Sequence, residues 1–288
     1  MQLTLLSDVT RRPRRIALGE FDGVHIGHRV VIAGNDTVLT FEPHPRVVLN
    51  PAAAPKLLTS LELKSELIAQ LGVQELVVVP FDQRFAHQSP QDFIDNILVK
   101  QLCATHVSVG ANFRFGHLAT GTTELLEQDG RFDVRVVPLV QTDGETVTSS
   151  RIRELVETGD VGRAASLLGA PFRMRGEVVM GDRRGRALGF PTANMVPDVG
   201  LACPADGVYA CKVDGRAAAV NVGRRPTFDD GQGLLVESYL LDFAGDLYGQ
   251  LLTVEFVARL RAEEKFQSVE ALVAQMARDV QRTRELLG

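Results

Sequence analysis

Two histidines three residues apart, His25 and His28, close the glycine-rich stretch Gly19-Glu20-Phe21-Asp22-Gly23-Val24-His25-Ile26-Gly27-His28. These residue types at this spacing suit a cradle for nucleotide phosphates. Gly19, Gly23 and Gly27 let the backbone approach an anion without a Cβ in the way. A helix starting near Gly27 would turn its free N–H groups and positive dipole end toward that anion. The two imidazoles, with Phe21 beside them, could then stabilise charge building on a transferring phosphoryl group. The same spacing also occurs as an HxxH pair on a helix, structural or metal-binding, although a metal needs more ligands than these two. ATP chemistry is the expectation.

A second stretch of this kind lies in the other half of the chain. Gly181-Asp182-Arg183-Arg184-Gly185-Arg186-Ala187-Leu188-Gly189-Phe190-Pro191-Thr192-Ala193-Asn194 combines three glycines, three arginines, a hydroxyl and an amide. Backbone N–H groups and guanidinium forks in such a loop can wrap phosphates. Thr192 and Asn194 offer neutral oxygens to a phosphate-bound magnesium, an ion that keeps several waters and needs few protein ligands. A hairpin with a solvated charged turn is the plainer alternative.

Both stretches need elements to hold them. Apolar runs at Arg15–Leu18, Thr37–Phe41, Glu75–Pro80, His106–Gly110 and Val134–Pro138 read as buried strands. Helices are expected between them: Thr59–Leu71, opened by a capping box of Thr59 with Glu62, and a second from Ser89-Pro90 to about Leu102. This βαβ series implies a parallel sheet with helices on both faces. In such a sheet ligands bind beyond the carboxyl ends of the strands. The glycine-rich turn, the segment Glu42-Pro43-His44-Pro45 and the loop from Asn112 to Gly116 all fall there.

Two further helices, Ser150–Glu157 and Asp160–Leu168, precede a change of pattern at Gly169-Ala170-Pro171, so the domains are set at 1–169 and 170–288. Beyond the boundary, short β-rich runs (Arg173–Met180, Gly207–Val213, Ala217–Val222, Leu234–Leu241, Leu251–Ala258) predict an antiparallel barrel or sandwich. A terminal helix with Ser268 as N-cap would bury Val269, Leu272, Val273, Met276 and Val280 on one face.

Composition narrows the function. The 288 residues are 45% hydrophobic and 23% charged, with a formal net charge of −5, which argues against a broad nucleic-acid surface and for a small substrate. Three widely spaced cysteines, Cys103, Cys203 and Cys211, support neither a disulfide framework nor a zinc knuckle. With no signal-peptide pattern and no membrane-length apolar run, a cytoplasmic location follows by default. Oligomeric state is not fixed by the sequence.

Together the motifs resemble those of the bacterial bifunctional riboflavin kinase and FMN adenylyltransferase (FAD synthetase) family. The resemblance covers nearly the whole chain. In the first half it rests on GEFDGVHIGH, Thr40–Pro45, Pro80-Phe81-Asp82, Gly110–Gly116 and Thr148–Arg153. In the second it rests on GRALGFPTAN, Asn221–Phe228, Val236-Glu237, Leu240–Phe243 and Leu247-Tyr248-Gly249. It implies a Rossmann-like nucleotidyltransferase that joins FMN to the AMP moiety of ATP, then a riboflavin kinase on an antiparallel β-barrel with a terminal helix. In the first domain it implies that His25 and His28 contact the triphosphate, that Ser150 and Arg153 hold the β and γ phosphates, and that Pro43, His44, Asn112, Phe113 and Phe115 bound the flavin. In the second it implies an ATP site of Gly181, Arg186, Gly189, Pro191, Thr192 and Asn194, and Glu237 as the base that takes the proton of riboflavin's 5′-hydroxyl. By strand alternation alone, Glu237 would face solvent.

The chain departs from the family in its first crossover, where only Arg29 to Leu39 separate His28 from Thr40. The helix there must be cut to one or two turns. Activity in the kinase half alone, transfer to a different phosphorylated metabolite, and a flavin-binding regulator without chemistry are the other readings.

Overall fold

The computed structural model describes residues 1–180, 190–224 and 233–288. The chain forms two compact units: Met1–Pro55 with Thr59–Ser149, and Lys56–Leu58 with Ser150–Gly288.

The first unit is built on six parallel strands: β1 (Gln2–Leu5), β2 (Arg14–Leu18), β3 (Thr37–Glu42), β4 (Glu75–Pro80), β5 (Ala104–Gly110) and β6 (Asp133–Val137). Their order is β1-β4-β3-β2-β5-β6. The inner strands are buried along most of their length because both faces of a parallel sheet are covered; β4 is apolar from Leu76 to Val79, whereas β3 and β5 also bury Thr37, Thr40 and Ser108. On β2, Ile16 and Leu18 join one core with Val77, Val107, Ile94 and Leu98, whereas Ala17 joins the other with Val38, Leu76, Val31 and Ile68. The edge strand β1 was not expected from the sequence. Its Leu3 and Leu5 face solvent and the polar Thr4 is buried, so no hydrophobic pattern announces it. The sheet encloses one buried ion pair, in which Arg14 Nε donates to Glu75 Oε2 at 3.0 Å and Arg14 Nη1 reaches the carbonyl of Leu102 at 3.2 Å. Burial pulls the Glu75 carboxyl up, but the Arg14 hydrogen bond and charge outweigh it and leave its pKa below the ordinary value.

Short helices cross both faces. The first, α1 (Ile26–Ile32), has seven residues and fits the abbreviated crossover. It is followed by α2 (Pro45–Leu49) and α3 (Leu61–Ala69). The expected capping box is not formed: Ser60 caps α3, accepting from Leu63 N. Thr59 is withdrawn for another bond, its hydroxyl accepting from Gly23 N at 3.2 Å while its own N–H donates to Asp22 Oδ1. Next come α4 (Gln83–Ala86) and α5 (Pro90–Asp92), which starts at Ser89 as expected and runs on as a wider π-type turn over Phe93–Gln101. After α6 (Thr123–Asp129) a small hairpin of β7 (Gln141–Thr142) and β8 (Glu145–Thr146) closes the unit.

The second unit holds α7 (Ser149–Thr158, from Ser150 on), α8 (Val161–Leu168) and a closed six-stranded barrel. The strands are β9 (Phe172–Val179), β10 (Ala193–Met195), β11 (Gly207–Val213), β12 (Arg216–Arg224), β13 (Leu234–Leu240) and β14 (Leu251–Arg261), ordered β10-β13-β12-β11-β14-β9 and all antiparallel. The barrel is thus one of the two folds the short strands allowed. The three-residue β10 is too brief to leave a pattern. Helix α8, which the sequence pattern places before the boundary at Gly169, packs on β9 and β14. Leu57 joins this unit as well: its N–H donates to Gly200 O and its carbonyl accepts from Ala202 N, both at 2.8 Å.

The terminal helix α9 (Val269–Leu287) packs on β11 and β12, with Ser268 as its N-cap, as expected. Of the expected face, Leu272, Val273, Met276 and Val280 are half-buried and Val269 is 57% exposed; Asp279 and Thr283, which were not expected, are the most buried residues. Asp279 is spoken for by Arg261, whose Nη2 lies 2.8 Å from Oδ2, and by Gln275 at 2.8 Å. A paired carboxylate is what fixes this helix, a feature that apolar periodicity does not register.

Candidate active sites

In the first unit a cavity of about 850 Å³ opens at the carboxyl ends of the strands. Gly19, Phe21 and His28 line it from the turn after β2, Asn112, Phe113 and Phe115 from the loop after β5, and His44 from the segment after β3. The sequence-expected residues of three separate loops therefore share one wall. Pro43 is exposed at the end of β3 and lies outside the lining, and Gly23 and His25 are buried beneath the turn. Phe41, Phe81, Phe85 and Gln88 also line the cavity, with no role assigned to them from the sequence. Of these, Phe41 and Phe81 fall in segments carrying the resemblance, Thr40–Pro45 and Pro80-Phe81-Asp82.

The turn is held in strained backbone. Phe21 and Val24 adopt φ of 52° and 42°, left-handed values that are rare for any bulky residue and rarest for a β-branched one. Two of its glycines are required by the turn's own rings. A Cβ on Gly19 would meet the Phe21 ring at 3.0 Å, and one on Gly27 would meet the His25 ring at 3.2 Å. His25 caps α1, its Nδ1 accepting from His28 N at 3.2 Å. That bond places the His25 ring proton on Nε2. The two imidazoles stack with centroids 3.4 Å apart, and Phe21 meets His28 edge-on.

Burial sets the charge of this site. It lowers the His25 pKa to about 4 and, with the nearby His25 and Lys64, carries His28 well below the ordinary histidine value. Both rings are neutral at pH 7 in this structure, so they bind as hydrogen-bond donors and acceptors; an arriving polyanion would pull their pKa values upward. His28 Nδ1 is buried with no hydrogen-bond partner, as is Oε2 of Glu20 on the same cavity wall. Orphaned buried atoms of this kind mark where a ligand's atoms would bind.

Burial also raises Glu20 to about 8, opposed by Lys64 and assisted by Asp22 and Glu42. An unfolded glutamate ionises near 4.5. The stability from keeping Glu20 neutral is therefore full below pH 4.5 and is lost as pH rises through about 8. Glu20→Gln, which removes the titration, is expected to stabilise the protein at pH 9 relative to pH 4 by about 5 kcal/mol at most. Thermal melts of both proteins across that range check this; a difference in melting temperature that does not change with pH would contradict it.

In the second unit a cavity of about 390 Å³ lies between the outer wall of the barrel and α9. Thr192, Asn221, Glu237 and Tyr239 line it from the strand side, and Leu272, Met276 and Val280 from the helix. Glu237 faces Asn194 across one strand pair and Asn221 across the other. Directly opposed residues share a face, so the three side chains form one row, on the face opposite Val236, Val222 and Met195. Asn221 Nδ2 donates to Glu237 Oε2 at 3.5 Å, and the buried Asn194 Oδ1 has no partner among the described residues. The alternation argument was right that Glu237 points out of the barrel. What it could not include is the helix that covers this face.

The remaining expected residues fall elsewhere. Pro191 is exposed beside Thr192, and Gly181, Arg186 and Gly189 lie outside the described residues. Ser150 and Arg153 are on α7 and group with the second unit.

A family model described as FAD synthetase matches residues 8–151, and one described as riboflavin kinase matches 168–287. Relatives named bifunctional riboflavin kinase/FMN adenylyltransferase match along nearly the whole chain. The Listeria monocytogenes protein is 41% identical over 93% of this chain and 91% of its own length, and the Escherichia coli K12 protein is 38% identical over 95% and 92%. The chain belongs to the bifunctional riboflavin kinase/FMN adenylyltransferase family.

It phosphorylates riboflavin to FMN and adenylylates FMN to FAD, with ATP as co-substrate in both reactions. A crystal structure from Streptococcus pneumoniae, described as a macrolide-efflux protein, has the same fold: TM-score 0.90 and 30% identity over 99% of each chain. Among the described residues of this family member, no helix is long and apolar enough to cross a membrane.

Proposed function

We propose that the first-unit cavity is the adenylyltransferase site and the second-unit cavity the kinase site. The observation that carries this reading is the row Asn194–Glu237–Asn221. It supplies one carboxylate and one amide that restrains it, in a cavity separate from the one that His28 lines, with one orphaned oxygen opposite on the neighbouring strand.

In the kinase reaction Glu237 accepts the proton of riboflavin's 5′-hydroxyl as its oxygen bonds to the γ-phosphorus, and the bond from that phosphorus to the leaving ADP breaks. Asn221 keeps the carboxylate turned toward the cavity. In the adenylyltransferase reaction the nucleophile is already a phosphate, so no base is needed: an FMN oxygen bonds to the α-phosphorus and pyrophosphate leaves. The work of the protein there is alignment and charge stabilisation. His25 Nε2–H and His28 serve as donors to the triphosphate, backbone N–H groups around Gly19, Phe21 and Gly23 add to them, and His44, Asn112, Phe113 and Phe115 bound the flavin.

Magnesium suits the kinase row. Asn194 Oδ1 is a hard, neutral, buried acceptor, with Thr192 two residues away, and among the described residues no cluster of three or more His, Cys, Asp or Glu could cage an ion by itself. Thr192 and Asn194 would hold an ion carried in on the nucleotide, where it neutralises phosphate charge. A cytoplasmic setting is part of the proposal, supported by three cysteines that are not joined in disulfides, which suits a reducing compartment.

A time course with riboflavin, ATP and magnesium tests this reading. FMN should appear first and FAD after it, and a chelator should stop both. FMN that accumulates without ever becoming FAD would remove the adenylyltransferase assignment.

A further inference from the structure

The first-unit cavity contains a polar group that the proposed chemistry leaves unused. Gln88 sits on the turn between α4 and α5, and its backbone is tied at both ends: its N–H donates to Phe85 O at 3.1 Å and its carbonyl accepts from His117 N at 2.7 Å. The side chain lines the cavity, yet its Oε1 is buried without a hydrogen-bond partner. Around it the walls are flat and apolar. Phe93 and Phe115 have centroids 5.4 Å apart, and Phe113 and Phe115 lie nearly parallel at 5.8 Å.

A buried acceptor left unpaired is costly, and a carboxamide among aromatic rings is suited to one kind of ligand. That ligand is a planar heteroaromatic ring whose edge places an N–H beside a carbonyl. The amide oxygen accepts from the N–H, and the amide NH₂ donates to the carbonyl.

We infer that Gln88 reads the imide edge of the flavin, pairing with the ring's N3–H and an adjacent carbonyl, and so sets this site's preference for an unmodified isoalloxazine. This rests on the reading of the cavity as the adenylyltransferase site. An adenine edge also offers a donor beside an acceptor. The flavin is favoured because the Gln88 carbonyl is bonded to His117 N, directly after the loop from Asn112 to Gly116 that carries Phe113 and Phe115.

The test uses the full chain and the rate of adenylyl transfer, which a second flavin bound at the kinase site does not report. kcat/KM is measured for FMN and for N3-methyl-FMN at saturating ATP, in the parent, in Gln88→Leu and in the unbranched Gln88→Met. The parent should prefer FMN by about tenfold, the size of one lost hydrogen bond. Both variants should lose about tenfold on FMN and little on the methylated analogue, which brings the ratio near one with the KM for ATP unmoved. FMN formation from riboflavin, carried out in the other unit, reports whether the variants are folded.

Variants that keep the parent's preference overturn the inference. So does an altered KM for ATP with the flavin preference intact, which would assign Gln88 to adenine. A parent that makes no FAD at all would instead bring down the reading of the cavity.

Discussion

His28→Ala is expected to lower FAD formation from supplied FMN by about 10² to 10³, the usual effect of deleting one donor aimed at developing charge. FMN formation from riboflavin should be nearly unchanged. The asymmetry follows from where the ring lies: it is stacked on His25 in the first-unit cavity, while the Glu237 row is in the second unit. Separate assays of the two reactions decide it. Equal loss of both activities would mean that the substitution had damaged folding, and the case for His28 as a phosphate ligand would fail. The neutral state of this ring adds a finer expectation. Because burial holds His28 well below the ordinary histidine pKa in the free protein, the pH profile of kcat/KM for adenylyl transfer, which reports the free enzyme, should show no break near pH 6.5.

Glu237→Gln is the converse experiment. The substitution keeps the size of the side chain and its place between Asn194 and Asn221 but removes its basicity. FMN production should fall by about 10² or more. FAD formation from supplied FMN should persist, since that nucleophile has no proton that must be removed. Rescue by FMN is the discriminating measurement. A variant that phosphorylates riboflavin at near the parent rate would return Glu237 to being an ordinary outward-facing strand residue.

How much the sequence disclosed depended on where the signal was stored. Strands β2 to β5 are legible because a parallel sheet buried on both faces leaves short runs rich in Ile, Val and Leu. Strand β1 points Leu3 and Leu5 at solvent and so leaves no such record. By local rules Thr59, with Glu62 three residues on, was the expected cap of α3, yet Ser60 takes that place. The choice was made by Gly23, whose N–H is bonded to Thr59 from 36 residues away.

The candidate sites divide in the same manner. His25 and His28 were visible through glycine spacing, and the convergence of the loops after β2, β3 and β5 followed from sheet topology. The neutrality of both rings and the raised pKa of Glu20 were not visible, because burial sums over residues scattered along the chain. Gln88 and Phe85 were missed for a related reason: they lie in a four-residue helix and the turn after it, too short to show a 2-residue or a 3.6-residue period.

The pairing of Leu57 with Gly200 and Ala202 carries a consequence for how the protein is made. Leu57 emerges from the ribosome while the first unit is being synthesised, yet both its partners are encoded far downstream. At 5 to 20 residues per second, the delay before Gly200 exists is of order ten seconds. Throughout that interval the Leu57 N–H and carbonyl lack the two partners that they have in the finished protein. A chain cut after the first unit would lack those partners for good, so the two activities cannot be parted by a single cut without leaving a stretch of one unit behind in the other.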